Sequence, residues 1–206
     1  MEALSIGDRD ARLFRLRQMM FGSRFQNSAV CPQCGERMEW EMHINDLEML
    51  PEPTVKKPEE HVLETSKYIV RFRLPNSRDV LEMMEAGPNG SDPSELLEKC
   101  TMEIKTKKGN RKVKKFPATL VDTLASQMEK LEPAADIRMN ITCPHCEFHW
   151  EAPFDIMSYL WTEIDHWAFR TLQEVGTLAT AFGWTEQDIL NMDAGRRQLY
   201  IEMIRS

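Results

Sequence analysis

The sequence lacks any run of eighteen or more apolar residues, so it contains no segment typical of a membrane-spanning helix. Its first residues, MEALSIGDRDARLF, carry acidic and basic side chains where a secretory signal peptide needs an apolar core. We therefore expect a soluble protein that is cytoplasmic at synthesis and does not insert into a membrane. With 42% hydrophobic and 29% charged residues among 206, the chain has a composition typical of a globular protein.

Catalytic signatures are also lacking. The chain has no glycine-rich phosphate loop, no nucleophile elbow, no HExxH helix and no serine, histidine and aspartate in a triad order. Carboxylates are plentiful, but none falls into a recognisable acid/base arrangement. The sequence therefore predicts that the protein is not an enzyme.

Cysteine is scarce, yet four of the five cysteines form two pairs of the same type. Cys31-Pro-Gln-Cys34 and Cys143-Pro-His-Cys146 share the form Cys-Pro-x-Cys. Two thiolates at this spacing bind one tetrahedral ion from a tight turn, and two such pairs complete the ligand set of a structural zinc site. Disulfides are not expected in the reducing cytoplasm. We predict one structural Zn²⁺ bound by Cys31, Cys34, Cys143 and Cys146.

Other interpretations of these residues remain. Each pair could be buried core cysteines, or a redox-active Cys-x-x-Cys, although that motif normally occurs alone and precedes a helix. His145 and His149 could replace a cysteine ligand, but four sulfurs already suffice, so we expect both to face solvent or to support the ligands. Four thiolates leave no open position for an activated water, which favours a structural metal. Cys100 is interpreted as a buried structural thiol.

Hydrophobic periodicity predicts an α+β fold with four segments: residues 1–49, an N-terminal helix ended by Gly22 and the first half of a zinc ribbon; residues 50–134, an inserted α/β segment; residues 135–152, the second half of the ribbon; and residues 153–206, a helical C-terminal unit. The zinc ribbon is thus built from two separated Cys-Pro-x-Cys knuckles. A strand is predicted after the first knuckle, because apolar and polar residues alternate over RMEWEMHI. Within the last segment, a long helix is predicted to end at Gly183, and Thr185 and Asp193 are predicted to cap two shorter helices.

The inserted segment begins with a proline-rich stretch, residues 50–63, which indicates a linker. A strand from Tyr68 to Leu74, a helix after Asn76 and a short helix after the turn AGPNGSDPS follow. Gly109-Asn110 indicates the tip of a basic hairpin, and a further helix runs from Pro117 to about residue 131.

Positive charge is concentrated in this hairpin. Residues 101–116 hold seven basic residues and one acidic residue, a local balance of +6 against −13 for the rest of the chain; the basic residues are Lys105, Lys107, Lys108, Arg111, Lys112, Lys114 and Lys115. They could bind phosphates, but the segment has one aromatic residue, Phe116, whereas single-strand binding uses several stacking faces. We expect a solvated hairpin or contact with an acidic protein, and keep a zinc-ribbon nucleic-acid-binding or transcription-type module as the alternative.

Five blocks of the sequence together resemble one family: LSIGDRDARLFRLRQMMFG, CPQCGERMEWEMHINDL, RFRLPNSRDVLEMM, CPHCEFHWEAPFDIMSYLWTEIDHWA and FGWTEQDILNMDAGRRQLYIEMI. The chain is similar to the baseplate hub-assembly proteins of T-even-type phages and their relatives in contractile injection systems. This resemblance implies a structural or assembly role in the baseplate, without a reaction. It also implies baseplate, hub or spike proteins as partners, and assembly in several copies into a phage tail or injection-system particle.

The resemblance directs attention to the C-terminal unit as a docking surface. The residues that we predict to contact partners are Trp161, Trp167, Trp184, Arg196, Arg197 and Tyr200. Arg196 and Arg197 could instead pair with neighbouring acids. The aromatic residues of the long helix, Tyr159, Trp161, Trp167 and Phe169, cannot all lie on one helical face, so we expect some to be buried and some exposed.

Overall fold

The computed structural model describes residues 4–46, 60–85, 92–108, 112–113 and 116–205. It divides the chain into two compact units, Met1–Ile156 and Met157–Ser206. The strands are β1 (Arg24–Val30), β2 (Arg37–His43), β3 (Glu60–Glu64), β4 (Tyr68–Arg73), β5 (Thr101–Thr106), β6 (Arg138–Thr142) and β7 (His149–Pro153). The α-helices are α1 (Ile6–Phe21), α2 (Ser77–Glu85), α3 (Pro93–Cys100), α4 (Val121–Leu131), α5 (Ile156–Phe182), α6 (Glu186–Leu190) and α7 (Ala194–Arg205). Helix and strand are therefore mixed, as predicted.

Helix α1 packs against the bases of two β-hairpins. Ser5 caps the helix by accepting a hydrogen bond from an amide of the first turn, and the helix ends at Gly22, whose φ is +86°. The buried ring of Phe14 lies 5.8 Å from the rings of Phe25 in β1 and Phe154 after β7. This aromatic cluster joins the helix to both hairpins, so the predicted N-terminal helix is confirmed and helps to position the cysteine pairs.

The two hairpins are two-stranded antiparallel sheets, β1–β2 and β6–β7, and each has a cysteine pair in its turn. Strand β1, which precedes the first cysteine pair, was not predicted. Buried Asn27 interrupts the apolar alternation of that strand, so its period is hidden in the sequence. The strand predicted after the pair is confirmed as β2.

The inserted segment forms a three-stranded antiparallel sheet in the order β3-β4-β5. Its core joins Val70 and Phe72 of β4 to Leu124 of α4 and to the other buried residues of the cluster: Leu97, Cys100, Ile104, Leu120 and Met128. The prediction of a linker over residues 50–63 was wrong at its end, because residues 60–63 belong to β3 and pair with β4. The rest of that linker, Gly109-Asn110 and most of the AGPNGSDPS turn lie outside the described residues.

The C-terminal unit contains the greater part of α5, together with α6 and α7. Gly183 ends α5 with φ of +70°, the Thr185 hydroxyl accepts an amide hydrogen bond at the start of α6, and Asp193 does so for α7 at 2.8 Å. These three predictions are confirmed. Leu178, Ile189 and Ile201 form the core of the unit. None of the described helices is both long and apolar enough to cross a membrane.

Candidate metal centre

The first cysteine pair lies in a tight turn closed by backbone hydrogen bonds. The amide of Cys31 donates to the carbonyl of Glu36 at 2.8 Å, and the amide of Gly35 donates to the carbonyl of Cys31 at 2.9 Å. Gly35 has φ of +75°, in the left-handed region that glycine adopts without strain. The turn therefore holds Cys31 and Cys34 at the tip of the β1–β2 hairpin.

The second cysteine pair repeats this geometry at the tip of the β6–β7 hairpin. The amide of Cys143 donates to the carbonyl of Phe148 at 2.9 Å, and the amide of Glu147 donates to the carbonyl of Cys143 at the same distance. Glu147 has φ of +58°, and among the residues that the structure describes it is the only non-glycine residue with positive φ. The two turns are thus conformational duplicates, with glutamate in the second where the first has glycine.

The four sulfurs converge although the pairs are more than a hundred residues apart in sequence. Sγ of Cys31 lies 3.6 Å from Sγ of Cys146, Sγ of Cys34 lies 3.6 Å from Sγ of Cys143, and all four lie within 4.8 Å of one another. A tetrahedral ion with Zn–S bonds of about 2.3 Å places its sulfurs about 3.8 Å apart, whereas a disulfide joins them at about 2.05 Å. The sulfurs are free thiols in an arrangement that could bind a metal ion.

The sulfur cluster has an inner and an outer side. Cys31 and Cys143 are buried in a small apolar core with Met38 and Ile141, whereas Cys34 is exposed. Half-buried Trp40, Met139, Cys146 and Trp150 surround this core. The apolar side excludes water from two of the sulfurs, and the exposed side gives a metal ion a path to the site.

Backbone hydrogen bonds favour a thiolate at Cys31. Burial raises the pKa of this thiol, but amide hydrogen bonds in the turn, from Cys34 and Gln33, outweigh burial and bring the pKa down to about 7. At Cys34 the amide of Glu36 lowers the pKa, but partial desolvation of the sulfur and hydrogen bonds with the neighbouring thiols raise it to about 12.

The remaining cysteine and the nearby histidines lie away from this cluster. Cys100 is fully buried in the core of the inserted segment, as predicted, and burial raises its pKa to about 11. His145 and His149 are exposed, and the Nδ1 of His149 lies 2.7 Å from the Thr142 hydroxyl. The cluster of metal-binding side chains found among the described residues contains only the four cysteines.

Some of the residues predicted to contact partners are exposed, and others pack within the C-terminal unit. Trp161 and Trp167 are 61% and 48% exposed. Trp184 packs against Tyr200, with ring centroids 4.9 Å apart, and Arg196 hydrogen-bonds to the hydroxyl of Tyr200 at 3.3 Å. Trp184 and Tyr200 therefore contribute to the fold of the unit, whereas Arg196 contacts Tyr200 on the exposed surface.

Arg197 was wrongly assigned to docking. It is 8% exposed, its Nε lies 3.1 Å from the carboxylate of Glu174, and its Nη1 donates to the carbonyl of Met192 at 2.8 Å. Its guanidinium therefore links α7 to α5 and hydrogen-bonds a backbone carbonyl just after the end of α6. The alternative interpretation, pairing with a neighbouring acid, is the correct one for this residue.

Three lysines of the basic hairpin form ion pairs with acidic side chains. The carboxylate of Glu103 lies 2.9 Å from Nζ of Lys105 and 3.1 Å from Nζ of Lys112. The carboxylate of Glu64 lies 3.2 Å from Nζ of Lys107. The neighbouring lysines lower the pKa of Glu103 through hydrogen bonds and charge. The positive charge of this segment is therefore partly compensated within the fold.

A model of the family described as "T4 bacteriophage base plate protein" matches residues 1–161 of the chain. The matched span contains both cysteine turns and ends shortly after the boundary between the two units. The block FGWTEQDILNMDAGRRQLYIEMI, on which the resemblance also rested, lies beyond it. Comparison with curated proteins and with solved structures finds no match.

Proposed function

The chain belongs to the T4 bacteriophage base plate protein family, and from this premise we propose that it is a non-enzymatic structural or assembly component of a contractile baseplate. The baseplate is that of a phage tail or of a phage-tail-like injection system. In this proposal the four cysteines bind one structural zinc ion and the two hairpins form a zinc ribbon. Its partners are other baseplate, hub or spike proteins.

The observation that carries the structural role of the metal is the convergence of four sulfurs from two hairpin tips. Each tip contributes two ligands, and Cys34 and Cys143 are 109 positions apart in sequence. Four thiolates complete a tetrahedral shell and leave no position for substrate or an activated water. An ion bound here would hold the hairpins together around the inserted segment, which is a structural task.

Zinc is favoured by the chemistry of the donors. A tetrahedral set of four thiolates suits Zn²⁺ or an iron–sulfur centre and is unsuitable for Mg²⁺ or Ca²⁺. Metal binding to such sites is coupled to folding, so loss of the ion would destabilise the hairpin tips and the parts that they position. The apolar core beneath Cys31 and Cys143 would keep that ion partly shielded from water.

Native mass spectrometry of the purified chain, before and after chelation, tests the metal. We expect one zinc per chain in the wild type and none in Cys31→Ser or Cys143→Ser. Cys100→Ala is the matched control, because this cysteine is buried away from the cluster, and it should keep the ion. Bound iron, two disulfides or a metal-free wild type would contradict the zinc proposal.

Complementation tests the baseplate role. In the phage or bacterium that encodes the chain, deletion of the gene should yield particles without a complete baseplate, as seen by electron microscopy. The Cys100→Ala variant should restore assembly, and Cys31→Ser should not. Complete contractile particles in the absence of the protein would exclude an essential baseplate role, whatever metal it binds.

The alternative, a nucleic-acid-binding zinc ribbon, has weaker support because Lys105 and Lys112 of the basic hairpin pair with Glu103, and Lys107 pairs with Glu64. Exposed ion pairs are weak and can open, so this alternative needs its own test. A binder that neutralises several phosphates would show steeply salt-dependent affinity for DNA or RNA. We expect no binding at moderate salt.

A further inference from the structure

Both of the short contacts in the sulfur cluster join one hairpin to the other. Sγ of Cys31 lies 3.6 Å from Sγ of Cys146, and Sγ of Cys34 lies 3.6 Å from Sγ of Cys143. A disulfide joins two sulfurs at about 2.05 Å, so each contact would need to shorten by about 1.5 Å to become a bond. The side chains that could bind a metal ion are therefore also placed to form two disulfides between the hairpins.

Each of these contacts combines a shielded sulfur with a more accessible one. Cys31 and Cys143 are buried. Their respective neighbours are more accessible, because Cys146 is half-buried and Cys34 is exposed. An oxidant reaches the accessible sulfur first, and a thiolate that lies beside it but is shielded from that oxidant is suited to close the disulfide. The cluster therefore contains this pairing of an attacked and a resolving sulfur twice.

We propose that the four cysteines form a redox-sensitive staple, in which two disulfides between the hairpins, Cys31–Cys146 and Cys34–Cys143, replace the metal ion under oxidising conditions. This inference rests on the proposed zinc site for its starting state, whereas the disulfide pairing follows from the sulfur positions. It differs from a redox-active Cys-x-x-Cys, because neither disulfide closes within a Cys-Pro-x-Cys turn. Cys100 takes no part, since it is fully buried in the core of the inserted segment.

The chemical balance needs one two-electron oxidant for each disulfide, and hydrogen peroxide is such an oxidant. Peroxide transfers an oxygen atom to the thiolate of Cys34, which gives a sulfenic acid and one hydroxide ion. The thiolate of Cys143 then attacks that sulfur, the S–S bond forms and a second hydroxide leaves. The same steps at Cys146 and Cys31 use a second peroxide, so four thiolates lose four electrons and four hydroxides take up four protons to form water. Disulfide sulfurs are not thiolate ligands, so the chain then releases its Zn²⁺.

The conformation of the turns favours pairing between the hairpins over pairing within them. In the first turn the amide of Gly35 donates to the carbonyl of Cys31 at 2.9 Å, and in the second the amide of Glu147 donates to the carbonyl of Cys143 at the same distance. A disulfide inside a pair would have to form within a turn that these hydrogen bonds already fix. A disulfide between the pairs needs only a small approach of two hairpin tips that share one apolar core.

The staple would preserve the link that the ion provides. The two disulfides join cysteines 115 and 109 positions apart in sequence, so they connect the hairpins across the inserted segment, as the ion does in the proposed zinc ribbon. In the proposed baseplate role, a particle is assembled in the reducing cytoplasm and is then released into surroundings where disulfides persist. The chain would therefore keep its hairpins joined in both environments.

Disulfide mapping of the full-length chain, purified under reducing conditions, tests the staple. Cleavage after lysine and arginine leaves each cysteine pair on one peptide, residues 25–37 and 139–170, so only disulfides between the hairpins link the two peptides. After treatment with hydrogen peroxide we expect linked peptides, loss of zinc in native mass spectrometry and a free thiol at Cys100. Separate peptides with internal disulfides, cysteines that overoxidise without pairing, or a chain that keeps its zinc and its thiols would each overturn the proposal.

Two single variants test which sulfurs pair. In Cys34→Ser the expected disulfide is Cys31–Cys146, which leaves Cys143 free for alkylation. In Cys31→Ser the expected disulfide is Cys34–Cys143, which leaves Cys146 free. Cys100→Ala is the matched control and should give the wild-type peptides. Any other pairing in the two variants would contradict the assigned contacts.

The outcomes separate this inference from the zinc proposal. A wild-type chain that lacks zinc before oxidation contradicts the zinc proposal, and its peptides after peroxide treatment still decide the disulfide pairing. A chain that holds zinc but forms no disulfide between the hairpins keeps the zinc proposal and refutes the staple. The oxidised chain should also melt at a higher temperature than the reduced, chelated chain. Equal melting temperatures would show that the disulfides do not replace the ion.

Discussion

The two cysteine turns share a backbone conformation but differ in the residue that adopts it, so exchanging residue types should change stability in opposite directions. Gly35 has φ of +75° and Glu147 has φ of +58°. An alanine Cβ at Gly35 would meet no atom within 4 Å, so the cost of Gly35→Ala is conformational rather than steric. The same conformational cost is already present at Glu147, and Glu147→Gly would remove it.

The magnitudes follow from the left-handed conformation and the unfolded chain. A side chain in this region costs about 1–2 kcal/mol, and replacing glycine recovers about 0.4–1 kcal/mol by restricting the unfolded state. Gly35→Ala should therefore lower the free energy of unfolding by about 1 kcal/mol. Glu147→Gly should raise it by a similar or slightly smaller amount.

Urea-induced release of zinc to a chromophoric chelator reports on these turns. With a denaturant slope of about 2 kcal/mol/M, a change of about 1 kcal/mol moves the midpoint by about 0.5 M. Glu147→Ala is the control, because it removes the charge and keeps the positive φ, so its midpoint should stay near that of wild type. A lower midpoint for Glu147→Gly, or an unchanged one for Gly35→Ala, would refute the reasoning.

Three further predictions concern groups away from the metal centre. Arg197→Ala should destabilise the C-terminal unit by about 2 kcal/mol, because it leaves the carboxylate of Glu174 without its partner. Arg196 is exposed, so Arg196→Ala should cost under about 0.5 kcal/mol. Thermal unfolding of the two variants measures the difference. Gly7→Ala should destabilise by about 1–3 kcal/mol, because its Cβ would lie 2.3 Å from Cγ of Glu132, and adding Glu132→Ala should recover most of the loss in urea unfolding. Burial raises the pKa of Glu132 above its ordinary value of 4.5, so its contribution to stability is fully present below that value and is lost as the pH rises through the folded-state pKa. The advantage of Glu132→Gln over wild type in melting temperature should therefore be largest at neutral pH and shrink as the pH approaches 4.5.

Local features could be predicted from sequence where one residue type determines them. The glycine that ends α5 and the capping Thr185 and Asp193 fall where their backbone preferences place them. The convergence of the two cysteine pairs could be expected from their matching form, because half a tetrahedral site is useful only with its other half. The helix ends and caps, and the meeting of the two cysteine pairs, could therefore be predicted from the sequence.

Long-range contacts were not readable from the sequence. The carboxylate of Glu132 accepts a hydrogen bond from the amide of Asp8 at the start of α1, although the two residues are 124 positions apart. Nothing in the local sequence of Glu132 indicates this contact. Arg197 pairs with Glu174, which is 23 residues away, and in isolation an arginine on a terminal helix indicates a surface. Strand β3 was missed because nearby prolines and charges favoured a linker, although its pairing with β4 makes it part of the sheet.

The boundary between the two compact units allows the metal centre to be tested apart from the C-terminal helices. The family match ends at residue 161, and the first compact unit, which contains both cysteine turns, ends at Ile156. Leu172 lies in the second unit, is 60% exposed and is not part of the sulfur cluster. Leu172→Lys should therefore keep one zinc per chain in native mass spectrometry. A Leu172→Lys variant that loses zinc would show instead that the C-terminal helices and the metal centre are coupled.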